Sequence, residues 1–269
     1  MTPTESNNAA MPAVLHAAGI DVVRGGRYLL RDINFTVHPG EHWALLGPNG
    51  AGKSTLLHIL GAFGHPTHGT VDVLGHRLGR VDMRELRTHI GHVDPRHRLD
   101  LPLKAHDVVL TGLTNTPELD PRRRYTGAEH RHADELLELL GMSQRRDSAW
   151  TTMSQGERGR TLIARALMPK PSLLLLDEPA TGLDLAAREQ LLTSIDQLRN
   201  EVGDLASVLV THHLEDLPTS TSHALLLRDG KSVIQGAVEL SLTSATITKC
   251  FDHSVLVTRD RGRWAARSS

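Results

Sequence analysis

Two stretches of this sequence have the residue types to hold phosphate. Gly47–Ser54 reads GPNGAGKS and fits G-x-x-x-x-G-K-[ST] between an apolar run, HWALLG, and a helical pattern, KSTLLHILGAF. That strand-to-helix context is what the motif requires. A polyphosphate needs many donors in a small space. Glycine lets main-chain N–H groups turn inward, and the helix start adds the positive end of its dipole. The cradle is therefore Gly47, Pro48, Asn49, Gly50, Ala51, Gly52, Lys53, Ser54 and Thr55. Lys53 is expected to reach the β- and γ-phosphates, and the Ser54 hydroxyl to bind Mg²⁺. The second stretch, MSQGERGR at 153–160, runs directly into TLIARALM. Ser154 and Glu157 have the S-x-x-E spacing of a capping box, so this is both a capped helix start and an anion site.

A third stretch supplies acids. In SLLLLDEPATGLD, four leucines predict a buried parallel strand whose C-terminal end carries Asp177 and Glu178. Ligands sit at that end of such sheets. A lone Asp-Glu pair ending a strand is ordinarily solvated. After a phosphate loop, two adjacent acids fit a cation, with Asp177 holding Mg²⁺ directly or through water. Glu178 is then the group aimed at an attacking water, as general base or polarising group.

The elements that must position these residues follow from the pattern. VLHAAGIDVV and YLLRDINFTV, split by RGG, predict antiparallel strands. GTVDVLG, ASVLVTHH and HALLLRDGKSVIQG read as further strands. DMRELRTHIGHV is a short helix leading into a strand, and AEHRHADELLELLGM and LDLAAREQLLTSIDQLRNEV are amphipathic helices. Strands alternating with helices predict an α/β sheet. The last stretch, SVLVTRDRGRWAARSS, predicts a terminal hairpin.

Composition narrows the classes. The chain has 269 residues, 39% hydrophobic but only 3% aromatic, so its core must be mostly aliphatic. A formal charge of -1 lacks the basic excess of a protein that tracks nucleic acid through its phosphates. A single cysteine, Cys250, excludes an intrachain disulfide and fits the cytoplasm. No apolar run approaches the roughly 20 residues that span a bilayer, and MTPTESNNAAMPA lacks the features of a signal peptide. Among 17 histidines, the pairs His65/His68, His89/His92 and His130/His132 have none of the spacing of a metal motif.

Taken in order, GPNGAGKST, MSQGERGR, LLLLDEP, ATGLD and LVTHH make the chain resemble the ATP-binding cassette (ABC) ATPases over about residues 14–240. The resemblance implies a P-loop NTPase fold with a RecA-like mixed-sheet core, an antiparallel β subdomain and a helical subdomain at about 96–168. The cassette is expected over 13–245, after a disordered lead-in at 1–12 and before a tail at 246–269. It further implies ATP and Mg²⁺ as ligands, with catalytic roles for Lys53, Glu178 and His212, the switch histidine. His213 is expected to point elsewhere.

In this family the signature faces the γ-phosphate held by a second subunit, which accounts for two phosphate-binding stretches in one chain. Ser154, the Gly156 main chain and Glu157 would serve the partner's site, and Asp184 of ATGLD would contact the partner. Gln155 replaces the commoner glycine, a variant frequent in ATPases of iron-complex importers. Arg24 stands where the family stacks an aromatic on adenine; either its guanidinium stacks there or it is a solvated arginine, and Tyr28 is a weaker candidate. One motif departs. The family's IGYVPQ is IGHVDP here, with Pro95 at the glutamine position after Asp94. Either Asp94 or a water then replaces that ligand, or DPRHR is a surface loop with no metal role.

The implied function is the ATPase subunit of a transporter, dimerising around two ATP molecules on the inner face of the membrane beside a separate permease subunit. Its expected cargo is a nutrient such as an iron complex or molybdate. The alternative is a soluble ABC ATPase with a regulatory, nucleic-acid or ribosome-related role. The stretch between Asp94 and Met153 is too short for the coiled-coil insert of DNA-repair members, and there is one cassette where translation factors carry two.

Overall fold

The computed structural model describes residues 12–94 and 102–269. Most of the expected lead-in, and Pro95 with it, lie outside the described residues. The opening alternation of apolar and polar residues forms β1 (Leu15–Arg24) and β2 (Arg27–Val37), paired antiparallel across Gly25-Gly26. The apolar run that follows is β3 (His42–Leu46), buried along its whole length. It feeds the glycine loop and α1 (Lys53–Leu60), which stops at Gly61. Next come β4 (His68–Val73), β5 (His76–Arg77), α2 (Met83–Arg87), capped by Asp82, and β6 (Ile90–Val93). A helical segment contains α3 (Ala105–Leu110), α4 (Gly127–Leu139) and α5 (Gln155–Leu167). β7 (Leu173–Asp177), α6 (Leu185–Glu201), β8 (Ala206–Thr211) and the hairpin β9 (His223–Arg228)–β10 (Lys231–Ala237) return to the sheet. The chain ends in α7 (Val238–Ser241), α8 (Ser244–Phe251), β11 (Val255–Asp260) and β12 (Arg263–Ser268).

Two sheets organise these elements. The antiparallel sheet has the order β2-β1-β4-β5. The central sheet has the order β10-β9-β3-β8-β7-β6, parallel from β9 to β6, with β10 added antiparallel at one edge. The architecture is the one expected from the motifs: a mixed α/β core, an antiparallel β subdomain and a helical subdomain. Side chains on a strand alternate between faces, and here both faces are covered. Leu173, Leu175, Val208 and Val210 join α1 and the antiparallel sheet in one core, while Leu174, Leu176 and Leu209 join α3–α6 in the other. Each fully buried leucine contributes about 1.5–3 kcal/mol relative to exposure. The consequence for function is positional. β3, β7 and β8 lie side by side and parallel, so the segments after their C-terminal ends, namely the glycine loop, Glu178 and His212, share one edge of the sheet.

The C-terminal segment is integrated into the core. Ile247, Cys250 and Trp264 are buried in the cluster that contains Ala224 and Leu226. A cassette boundary at 245 falls inside α8.

Candidate functional site

The glycine loop is built from close approaches. A side chain on Gly47 would collide with the Leu227 carbonyl of β9. Gly52, at φ +101°, caps α1, and a Cβ there would lie 2.8 Å from the Leu29 carbonyl. The loop is therefore seated between β9 and β2, and only glycine fits at both ends. Lys53 is buried at 5% exposure, with Nζ donating to the carbonyls of Gly47 at 2.7 Å and Pro48 at 3.1 Å. Burial lowers its pKa, while Glu178 and Asp177 oppose the shift. The ammonium is thus fastened to loop carbonyls. Ser54, in the first turn of α1, is exposed.

Asp177 ends β7 and is buried, and both it and Ser54 line a cavity of about 590 Å³ between the sheet and the helical segment. His92 and Asp94 border the same cavity. A hydroxyl and a carboxylate are hard oxygen donors of the kind Mg²⁺ takes, so this donor set fits the ion. Arg24 is exposed and borders a second cavity of about 380 Å³ with Ser54, Thr55 and His58.

Glu178 turns the chain out of the sheet. Its φ is +50°, a conformation that costs a non-glycine residue about 1–3 kcal/mol. Its N–H donates to the Val210 carbonyl at 3.0 Å, and its own carbonyl accepts from Thr181 at 3.1 Å. The carboxylate is aimed from two sides. His212 Nδ1 lies 3.1 Å from Oε1, and the Thr181 hydroxyl donates to Oε2 at 3.4 Å. Thr181 is a partner that motif reading did not single out; the turn that brings it back to Glu178 has no residue-type signal. His213 departs from expectation. β8 ends at Thr211, so strand alternation no longer governs the next two residues, and the His212 and His213 rings lie 4.1 Å apart.

The signature segment is capped from within and packs against its own chain through a few contacts. The Ser154 hydroxyl accepts from Glu157 N–H at 3.3 Å, Glu157 Oε2 accepts from Ser154 N–H at 2.8 Å, and both halves of the capping box are formed. Arg145 pairs with Glu157 at 2.7 Å, and hydrogen bonds from Ser154 help hold that carboxyl below its ordinary pKa against the opposing effect of burial. Gln155 Nε2 donates to the Thr181 carbonyl at 2.7 Å, and a Cβ on Gly156 would lie 2.9 Å from the Ala187 Cβ. Asp184 caps α6 by accepting from Ala187 N–H at 2.8 Å. The signature therefore touches the Thr181–Ala187 segment, whereas the cavity shared by Ser54 and Asp177 has none of residues 153–157 in its lining. Ser154, Gln155 and Asp184 remain exposed.

Residues 30–181 match the family model described as ABC transporter. YlmA of Bacillus subtilis strain 168, an ABC transporter ATP-binding protein, is 37% identical over 93% of this chain and 95% of its own length. The hemin import ATP-binding protein HmuV of Hahella chejuensis is 32% identical over 88% of this chain and 92% of its own. Among solved structures, the dimeric post-hydrolysis state of the ATP-binding cassette MJ0796 bound to ADP and phosphate superposes with a TM-score of 0.69 at 26% identity, covering 83% of this chain and 98% of that one.

Proposed function

We propose, starting from the fact that the chain belongs to the ABC transporter family as an ATP-binding subunit, that it hydrolyses ATP in a head-to-tail pair of copies to drive import through a separate membrane subunit. ATP binding and hydrolysis coupled to transport are the family's activity. The direction and the pairing are our reading. Import of an iron complex is favoured by the likeness to a hemin import protein over nearly the whole chain and by Gln155 in the signature. Among the described residues no helix is long and apolar enough to cross a membrane.

The observation that carries the mechanism is the Glu178–His212 contact at 3.1 Å, at the same sheet edge as the glycine loop. In our reading the loop N–H groups and Lys53 bind the phosphates, releasing Lys53 from the Gly47 and Pro48 carbonyls. Ser54 and Asp177 hold Mg²⁺, which neutralises phosphate charge when bound. Glu178 accepts a proton from water, and His212 keeps its carboxylate oriented and reaches the γ-phosphate. Ser154, Gly156 and Glu157 at the start of α5, with Asp184, close the site of the other copy. Arg24 borders the base. Asp94 lies on the cavity that Ser54 and Asp177 share.

The test is Glu178→Gln. Loss of a general base costs about 10²–10⁴-fold in rate, while the neutral amide leaves the cradle intact. With ATP and Mg²⁺ the variant should elute from a sizing column as a dimer and hydrolyse almost nothing. A monomer under those conditions, in a variant that still binds ATP, rules out the paired arrangement.

A further inference from the structure

We propose that Arg263, in the C-terminal hairpin, is a positioning residue for ATP hydrolysis: it braces the turn after His212 against the helix that begins at Asp184. The proposal rests on the roles given above to His212 and Asp184. Arg263 Nη1 donates to the Leu217 carbonyl at 3.2 Å, and Nη2 donates to the Glu215 carbonyl at 3.0 Å and to Glu189 Oε1 at 3.0 Å. One guanidinium thus holds the turn that follows the switch histidine and a carboxylate in the second turn of α6. A second tether runs parallel to it. Ala266 N–H of β12 donates to Glu215 Oε1 at 2.9 Å.

The turn is also fixed from within. The Thr211 hydroxyl donates to buried Asp216 at 2.9 Å and accepts from His213 N–H at 3.1 Å. His212 therefore sits on a short segment clamped on its inner side by Thr211–Asp216 and on its outer side by the hairpin. The hairpin has a foundation of its own. Trp264 is buried in the core with the Arg259 guanidinium 4.8 Å from its ring centroid, and Arg259 pairs with Glu239 at 2.9 Å. A planar fork with five donors suits three acceptors on two elements, whereas an ammonium is a single point of attachment.

Magnitude separates a positioning role from a stabilising one. The ion pair to Glu189 is partly exposed, with 28% and 48% of the two side chains accessible, and such pairs contribute little to stability. A misplacement of about 1 Å at a reacting group costs on the order of a hundredfold in rate. Removing Arg263 should therefore be felt in turnover before it is felt in folding.

The experiment uses the full-length protein. Arg263→Ala should lower kcat about tenfold with KM and the affinity for a fluorescent ATP analogue within about twofold, and Arg263→Lys should recover part of the loss. Glu215→Ala, which removes the second tether, should move kcat the same way by less; it decides the matter if Arg263→Ala does not fold. Arg267→Ala, at an exposed position of the same hairpin, should keep wild-type turnover. Unchanged kcat in both Arg263→Ala and Glu215→Ala overturns the proposal, as does a loss of nucleotide affinity equal to the loss of turnover. His212→Ala separates the two levels of argument. Wild-type turnover in that variant sinks the reading of the site itself, whereas an inactive His212→Ala beside a fully active Arg263→Ala sinks only the role of the hairpin.

Discussion

Lys53 and Ser154 stand at the starts of two helices of similar chemistry, and their surroundings are opposite. The start of α1 is enclosed. Lys53 is 5% exposed and its ammonium is fastened to two carbonyls, while Gly47 and Gly52 press against Leu227 and Leu29. The start of α5 faces outward: Ser154 and Gln155 are exposed, and contact with the rest of the chain is made through Gly156, the Gln155 amide and the Arg145–Glu157 pair. The first-turn N–H groups of any helix have no acceptor within it. At α1 the fold wraps the donors into a cradle; at α5 it presents them. One is a complete half-site, and the other has the form of a half-site offered to another molecule. That difference is the physical argument for a second copy.

The comparison is broken most severely by Ser154→Arg. The substitution removes a cap worth about 0.5–2 kcal/mol, small against the roughly 5–15 kcal/mol of a domain, so the fold should persist. Bulk and charge at the outward-facing helix start should cost about a hundredfold or more in turnover through misplacement of the joined half-sites, and abolish the ATP-dependent dimer. ATP binding to the monomer should be unchanged in an equilibrium titration. Loss of monomer binding would mean that the two helix starts serve one site within one chain.

Lys53→Ala attacks the enclosed side and should act at lower magnitude on a different quantity. One charge-assisted contact to phosphate is worth about 1.5–3 kcal/mol, or about tenfold to more than a hundredfold in Kd. The same titration reads it. Wild-type affinity in this variant would remove the glycine loop from the nucleotide site.

These contrasts were unequally legible in the sequence. The glycine loop and the Asp177-Glu178 strand end are local: spacing alone puts donors on a turn and acids at the end of a buried strand. The capping box of Ser154 and Glu157 is local too, and the structure forms both its hydrogen bonds. What could not be read is long-range. Nothing near Lys53 announces that it is stored on the Gly47 and Pro48 carbonyls, nor that Glu178 takes a φ of +50°. The helix α8 was also invisible, because SATITKCF is rich in β-branched residues that disfavour helices. A Thr243–Thr246 capping box and the burial of Ile247 and Cys250 outweigh that preference. Burial raises the Cys250 thiol to a pKa of about 11, which makes it a core side chain and not a reactive one.

His42 sharpens the comparison at its smallest scale, because it begins the strand that leads into the enclosed loop. It is 7% exposed, with Nδ1 2.7 Å from the Ser207 hydroxyl. Burial, reinforced by Arg199, lowers its pKa to about 4, against about 6.5 in an unfolded chain. As the pH falls below about 6.5 the unfolded chain takes up a proton that the folded protein refuses. Stability contributed by this group is therefore complete above about pH 6.5 and is lost progressively toward pH 4. By pH 5.5 the loss amounts to about 1 kcal/mol. Denaturant unfolding of the wild type and His42→Gln at pH 7.5 and 5.5 isolates it, since the amide can hydrogen-bond Ser207 and does not titrate. The wild type should lose about 1 kcal/mol more than the variant between the two pH values. The acid-sensitive group lies at the start of β3, the opposite end of the strand from the glycine loop, beside Ser207. Equal losses in the two proteins would mean that the start of β3 admits the proton, and that His42 is less sealed than its packing implies.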